Sequence, residues 1–253
     1  MGQTDLTAPH LAAFLRGIDY LLSAQFPSGG WPQVYPLEGG YHDAITYNDG
    51  AMINVLTFLR DIADNGAGFS FVPAETRVRA AAAEQRGIAC ILATQITAAG
   101  RRTVWCQQHD MLTLAPTSAR NYEMPSQSSG ESAGLVLFLM DLPKPSPEIL
   151  TAIKAATVWF EKTAINGIVF KATAAGTGRH VVPTPGAPPL WPRYAEIGSD
   201  RPLFGDRDKT IHDNVAEISQ ERRDGYAWFG DAPKHVLARF APETKAPPKP
   251  NRR

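Results

Sequence analysis

HLAAFLRGIDYLLSAQFPSGGW, residues 10–31, carries the pattern from which the fold can be read. Leu11, Phe14, Leu15, Ile18, Leu21 and Leu22 recur at helical spacing, and Pro27-Ser28-Gly29-Gly30 is expected to end the helix. Gln25 sits near the helix end, and Trp31 follows the glycine-bearing loop. The same order returns further on. Val78, Ala81, Gln85, Ile88, Leu92 and Ile96 mark a helix with Gln95 near its end, Ala98-Ala99-Gly100 as its stop and Trp105 beyond. Ile149, Ile153, Ala156 and Phe160 mark another, followed by Glu161 and then by Asn166-Gly167 and Ile168-Val169-Phe170. Gln25, Gln95 and Glu161 are 70 and then 66 residues apart. Partner helices are marked by Met52, Val55, Leu56, Leu59 and Ile62, and by Leu135, Phe138, Leu139 and Leu142 before a proline-rich turn at Pro143 to Pro147. Long helix, short β-like loop and partner helix, repeated, predicts a mainly α chain of helical hairpins stacked around an axis.

Beyond Lys171 the composition changes. Gly176 to Gly178 and Pro183 to Pro192 exclude regular helix. Trp191 to His212 mixes aromatics, arginines and aspartates in what should be an ordered loop, and a last helix is expected within Ala232 to Phe240. The expected organisation is a flexible start over residues 1–10, one domain over 11–240 and a disordered proline-rich tail over 241–253.

The chain has 253 residues, 43% of them hydrophobic, enough for one sizeable core. With 25 basic and 25 acidic residues its formal net charge is zero, which argues against a nucleic-acid partner. No run of about 18 apolar residues points to a membrane span. The start lacks the basic and then apolar pattern of a secretory signal. The two cysteines, Cys90 and Cys106, read as ordinary buried thiols.

Functional residues concentrate in four polar segments. Asp49, in Tyr47-Asn48-Asp49, stands before a helix, where a carboxylate can simply cap the first turn. With Asn48 beside it, it is also the kind of oxygen donor that hard cations take. Gln107-Gln108-His109-Asp110 follows Trp105 and reads as a wall of the cleft, with Asp110 a candidate substrate contact. His109 reads as a structural donor rather than a base, and no second histidine or cysteine stands at zinc-ligand spacing. Arg120 lies in a loop with Tyr122 and Glu123, where it can pair with Glu123 or clamp a carboxylate. Ser128 and Glu131 fit a capping box for the helix that carries Leu135. Arg193, Arg201, Arg207, Arg222 and Arg223 alternate with acidic residues and with Trp191, Tyr194 and Phe204. Aromatic faces and guanidinium forks together suit sugar rings that bear carboxylates.

At these residues the chain resembles polysaccharide lyase family 10, the α-helical pectate lyases. The matching segments are FPSGGWPQVYP (26–36), ITYNDGAM (45–52), WCQQHD (105–110), ARNYEMPS (119–126), WPRYAEIGSDRPLFGDRD (191–208) and ERRDGYAWFG (221–230). The resemblance runs from about Leu11 to Phe240. It implies a toroid of the (α/α)3 type with short β-like loops, and calcium-dependent β-elimination on polygalacturonate. The metal would bridge protein carboxylates and the uronate carboxylate, and an arginine would take the C5 proton. By motif, Asp49 resembles the calcium-binding aspartate, Arg120 the base, and Arg193 and Arg207 the substrate-binding arginines. Asn48, Tyr194 and Asp110 complete the expected substrate contacts. The family's setting implies an extracellular or periplasmic location.

The chain departs from the family in one respect. Its relatives carry an upstream helical region with a further calcium-binding aspartate in an Ile-Asp-Asn-like segment, and none stands before Leu11. A truncation or a short variant would lack the first hairpin of the toroid and expose an apolar edge, which favours self-association. Two other readings remain at this stage. An acid/base glycoside hydrolase would use Asp49 and Asp110 as its carboxyl pair, and a non-catalytic polyuronate-binding protein would keep the arginines alone.

Overall fold

The structure is a computed structural model that describes residues 8–66, 68–174 and 176–241. Among these residues seven α-helices form: α1 Ala8–Ser23, α2 Ala51–Ala63, α3 Ala74–Thr94, α4 Ser129–Met140, α5 Pro147–Thr163, α6 Gln220–Gly225 and α7 Pro233–Phe240. The five helices read from apolar spacing and the last one all form. Ala8, Pro9 and His10, expected within a flexible start over residues 1–10, belong to α1. Proline fits a first helical turn, where its missing N–H is not needed. Residues 1–7 and, of the tail expected over 241–253, residues 242–253 lie outside the described residues.

Helices pack in two tiers. The outer helices α1, α3 and α5 touch in sequence, α1 on α3 and α3 on α5. Helix α2 packs on α3 and on α4, and α4 packs on α5 and α7. This is the hairpin stack expected of a mainly α chain. Helix α4 has one charged residue, Glu131, and is buried on several faces through Ala133, Leu135, Val136, Phe138 and Leu139, as an inner helix requires. In α3, a Cβ on Gly87 would lie 2.4 Å from the Leu56 side chain and 3.0 Å from Trp31, so glycine permits the close approach of α2 and α3.

The repeat has a physical basis. Gln25 Nε2 donates to Gly29 O in its own loop and to Ala83 O of α3. Gln95 Nε2 likewise donates to Thr103 O in its loop and to Ala152 O of α5. Each glutamine thus ties a loop to the next outer helix. Trp31 Nε1 donates to Leu21 O and Trp105 Nε1 to Ile91 O, pinning each loop back on its own helix. Glu161 is exposed and takes no such part. The third tryptophan is Trp191, whose Nε1 donates to Phe160 O from 31 residues away. The intervening residues form a hairpin of Ile168–Ala172 with Arg179–Pro183.

The loops carry short antiparallel pairings. Ile45–Thr46 pairs with Gln108–His109, and Gln127–Ser128 joins Tyr194–Ala195, Pro202–Gly205 and Ile211–His212 in a four-stranded sheet. A second, smaller core of Met124, Tyr194, Leu203, Phe204, Val215, Ile218 and Trp228 lies under that sheet, apart from the main helical core. Both cysteines are buried and unpaired, and burial pushes the Cys90 thiol up to about 11.

Candidate functional site

The loops after α1, α3 and α5 converge where Arg193 meets Asn48 and Gln107. Asp49 stands just before α2, but it does not cap the helix. It lies in a 3-10 turn, Asn48–Gly50, and adopts left-handed φ 53° and ψ 22°, while Gly50 takes the capping position. Aspartate tolerates this region better than most residues, and an L-residue held there marks a constrained site. The Asp49 carboxylate accepts one hydrogen bond, from Asn48 Nδ2 at 3.0 Å.

Asn48 is 6% exposed and joins Asp49 to Arg193, because its Oδ1 accepts from Arg193 Nη2 at 3.1 Å. Arg193 also reaches Glu131 Oε1 at 2.6 Å and Gln107 Oε1 at 3.4 Å, and its Nε donates to Tyr194 Oη at 3.2 Å. Burial is the largest effect on Arg193 and opposes its charge, but Glu131, Tyr194 and Tyr226 together outweigh it and hold the guanidinium above its ordinary pKa. Glu131 therefore does not close a capping box. Ser128 makes no cap bond to the backbone; its hydroxyl bonds the Glu131 carboxylate, whose other oxygen serves Arg193.

Arg120 shows the pair its sequence neighbourhood allows. Its Nε and Nη2 donate to the two oxygens of Glu123, at 2.9 and 2.5 Å, and its backbone N–H donates to the same carboxylate at 3.0 Å. These bonds hold Arg120 further into its charged form, and they pull the Glu123 carboxyl down against the effect of its burial. Tyr226 Oη donates to Glu123 at 2.6 Å and lies 2.6 Å from Tyr194 Oη, and the Tyr194 hydroxyl bonds Gln107. A single hydrogen-bonded path thus runs from Asp49 through Asn48, Arg193, Tyr194, Tyr226 and Glu123 to Arg120.

The remaining sequence candidates stand at different depths. Tyr194 is 1% exposed and meets Arg193 and Tyr226 through its hydroxyl. Arg207 is exposed and clasps Glu221 through Nε and Nη2, each at 2.9 Å. It reaches the site over the ring of Tyr122, whose neighbours also include the guanidinium of Arg120. Gly205 permits this arrangement, since a Cβ there would lie 2.4 Å from Tyr122 O. His109 is structural, as expected. It is fully buried, with Nδ1 on Leu114 O at 2.9 Å and Nε2 accepting from Cys106 N at 3.1 Å, and burial lowers its pKa to about 4. Sequence reasoning missed Tyr226 and the bond of Glu131 to Arg193. Tyr226 lies inside the ERRDGYAWFG motif, which was the available signal.

Asp49, Asn48, Gln107, Arg120 and Glu123 line one recess of about 70 Å³ together with Gln33, Tyr41, Gln108 and Ala119. That is room for an ion and a water or two, at about 30 Å³ per water. A neighbouring recess of about 440 Å³ shares Tyr41 and Ala119 with it and contains Asp43 and Asp110. The second lies in the ordinary range of small-ligand pockets, about 300–1,000 Å³. Asp110 is partly committed: its Oδ1 accepts from the backbone of Leu112 and from both the N–H and hydroxyl of Thr113, which lowers its pKa.

Among the described residues, no group of three or more His, Cys, Asp or Glu side chains could cage a metal. The small recess instead offers one carboxylate not paired with an arginine, Asp49, and several amide oxygens, and the buried Oε1 of its wall residue Gln108 has no hydrogen-bond partner. An all-oxygen donor set of this kind fits a hard cation such as calcium, provided that a ligand supplies further oxygens.

The pectic acid lyase family matches residues 3–237. The chain belongs to this family. A family 10 polysaccharide lyase from Cellvibrio cellulosa is 33% identical, with TM-score 0.86 over 92% of this chain and 72% of that one. A mutant of that lyase in complex with trigalacturonic acid is also 33% identical, with TM-score 0.85 over 92% of this chain and 73% of that one. No curated protein sequence matches significantly. The family 10 resemblance read from the motifs is therefore confirmed, as is the mainly helical fold, and the chain is a pectate lyase. Among the described residues, no helix of this lyase is long and apolar enough to cross a membrane.

Proposed function

We propose that this pectate lyase cleaves α-1,4-polygalacturonate by calcium-dependent β-elimination, with Arg120 as the base and Asp49 as the calcium ligand. The observation that carries the reading is that Asp49 and Arg120 line the same small polar recess. Polygalacturonate is supported as substrate by the trigalacturonic acid bound to the Cellvibrio enzyme.

In this reading Asp49, its carboxylate fixed by Asn48, would hold a calcium ion in the recess. When bound, calcium supplies Lewis-acid stabilisation of the charge that develops as C5 loses its proton. Arg193 and Arg207 bind uronate carboxylates through their planar forks. The C5–H bond breaks with its proton passing to Arg120. Its electron pair forms the C4–C5 double bond, and the C4–O bond to the departing chain breaks. An arginine has a pKa above about 12, so it serves as base only through its neutral minor form. A plant cell-wall polymer as substrate supports an extracellular or periplasmic setting.

The test is ultraviolet absorbance of the unsaturated product from polygalacturonate, with calcium and after chelation. Wild type yields the product only with calcium, and Arg120→Ala yields none while keeping its fold. Product from Arg120→Ala at the wild-type rate removes the assigned base. Reducing ends without absorbance would favour the hydrolase reading, and retention on pectate without any product the binding-protein reading.

A further inference from the structure

The guanidinium of Arg120 has two edges, and the structure commits one of them. Nε and Nη2 lie on the buried Glu123 carboxylate, whereas Nη1 makes no hydrogen bond among the described residues. The Arg120 side chain is 42% exposed and lines the recess. Glu123 is fixed in turn by Tyr226 Oη at 2.6 Å. The Tyr226 ring lies between two cations, with the guanidinium carbons of Arg193 and Arg120 at 4.9 and 5.8 Å from its centroid.

We infer that Glu123 and Tyr226 are positioning residues that clamp the Nε–Nη2 edge of Arg120, leaving Nη1 as the nitrogen presented to the substrate. The inference rests on Arg120 being the base. A side-on carboxylate removes the rotation that would otherwise exchange the two terminal nitrogens, and a fork held at two points loses little further entropy when the substrate arrives. The tyrosine keeps the carboxylate from following the guanidinium, and it links the base to Arg193 through Tyr194. Glu123 also exacts an opposing effect, because its charge favours the cationic form of Arg120. The other charged or titratable groups around Arg120 are Tyr122, Tyr226, Arg207 and Arg222 about the Tyr122 ring, and Asp49 across the recess.

Removing the carboxylate should therefore move two observables in opposite senses. Glu123→Gln, Tyr226→Phe and Arg120→Ala are compared with wild type for kcat, KM and the pH dependence of kcat, with circular dichroism as the check of folding. Glu123→Gln is expected to lower kcat on the order of a hundredfold, and Tyr226→Phe about tenfold, with KM changed less than about twofold. In Glu123→Gln the rise of kcat with pH begins at lower pH, because the anion that held Arg120 charged is gone. The double variant loses less than the product of the single losses, since both act through one guanidinium. If both variants keep kcat within about twofold while Arg120→Ala is inactive, the clamp is refuted and the base stands. If the loss falls on KM alone, or the pH profile of Glu123→Gln does not move, the clamp is likewise refuted. If Arg120→Ala is fully active, the base reading fails and the clamp with it. Should Glu123→Gln melt below the assay temperature, Tyr226→Phe, which removes a single oxygen, decides.

Discussion

Arg193 Nη2 lies 2.6 Å from Glu131 Oε1, and the pair is 62 residues apart in sequence and nearly closed off from water, at 19% and 7% exposure. Glu131 comes from the first turn of inner helix α4, and Arg193 comes from the loop after α5. The contact therefore fixes the arginine cluster to the helical core. It also sets a cost for losing one partner. Breaking a buried pair leaves a charge without compensation, and the loss is typically about 3–5 kcal/mol. Here Asn48, Gln107 and Tyr194 remain to serve Arg193, so the lower end applies. Glu131→Ala is expected to destabilise the lyase by about 3 kcal/mol in urea unfolding and to raise KM by releasing Arg193. Unchanged urea stability would mean that the pair contributes nothing to the fold.

Asp49→Asn keeps the shape of the turn and removes the charge. Because Asp49 is the one carboxylate of the small recess not paired with an arginine, the calcium needed for half-maximal rate should rise at least about tenfold, in line with the loss of a hard anionic ligand. Calorimetric titration of calcium, with an oligogalacturonate present, gives the same answer without relying on turnover. An unaltered calcium requirement would assign the metal to other oxygens.

Much of the fold was legible in the sequence because helical apolar spacing is local. Met52, Leu56, Leu59 and Ile62 bury one stripe of α2, and the glutamine and tryptophan markers of the first two repeats are the residues that tie loops to helices. The third repeat was read without a tryptophan because a 31-residue separation, with a hairpin inside it, divides Trp191 from the helix it binds. The site was legible as a set of residue types and illegible as a network. Nothing local says that Glu131 turns from its own backbone to Arg193, or that Tyr226 reaches Glu123 across 103 residues. Nor does helical periodicity show that Asp49 has positive φ and leaves the capping position to Gly50.

Arg207 and Arg193 should separate experimentally. Arg207 and its partner Glu221 are exposed, at 63% and 56%, so solvent and salt screen their attraction. Glu221 also accepts from Nε and Nη2 of the buried Arg222, so Glu221→Ala is expected to lower the melting temperature, whereas Arg207→Ala leaves it unchanged. Arg207→Ala is expected to raise KM for polygalacturonate several-fold at low ionic strength, and less as salt increases, since an exposed arginine attracts a polyanion through a screened field. A KM effect independent of salt would mean that Arg207 grips its uronate carboxylate out of reach of solvent rather than at the exposed surface.

Acid stability has an identifiable contribution from His109. Its folded pKa is lowered to about 4, from an ordinary 6.5, by burial between Leu114 O and Cys106 N. Between these values the unfolded chain binds a proton that the folded chain refuses, so stability rises with pH through this window. The contribution is fully present above about pH 6.5 and is lost as pH falls towards about 4, on the order of 3 kcal/mol in total. Urea midpoints measured between pH 7 and 4 should therefore fall in wild type, and the fall should be smaller in His109→Gln, whose side chain cannot take up a proton. The substitution also costs some stability at pH 7, because one amide cannot reproduce both ring hydrogen bonds; it is the slope with pH that isolates the histidine. Equal slopes in the two proteins would show that carboxylates such as Asp110 and Glu123, whose folded pKa values are depressed, dominate acid unfolding instead.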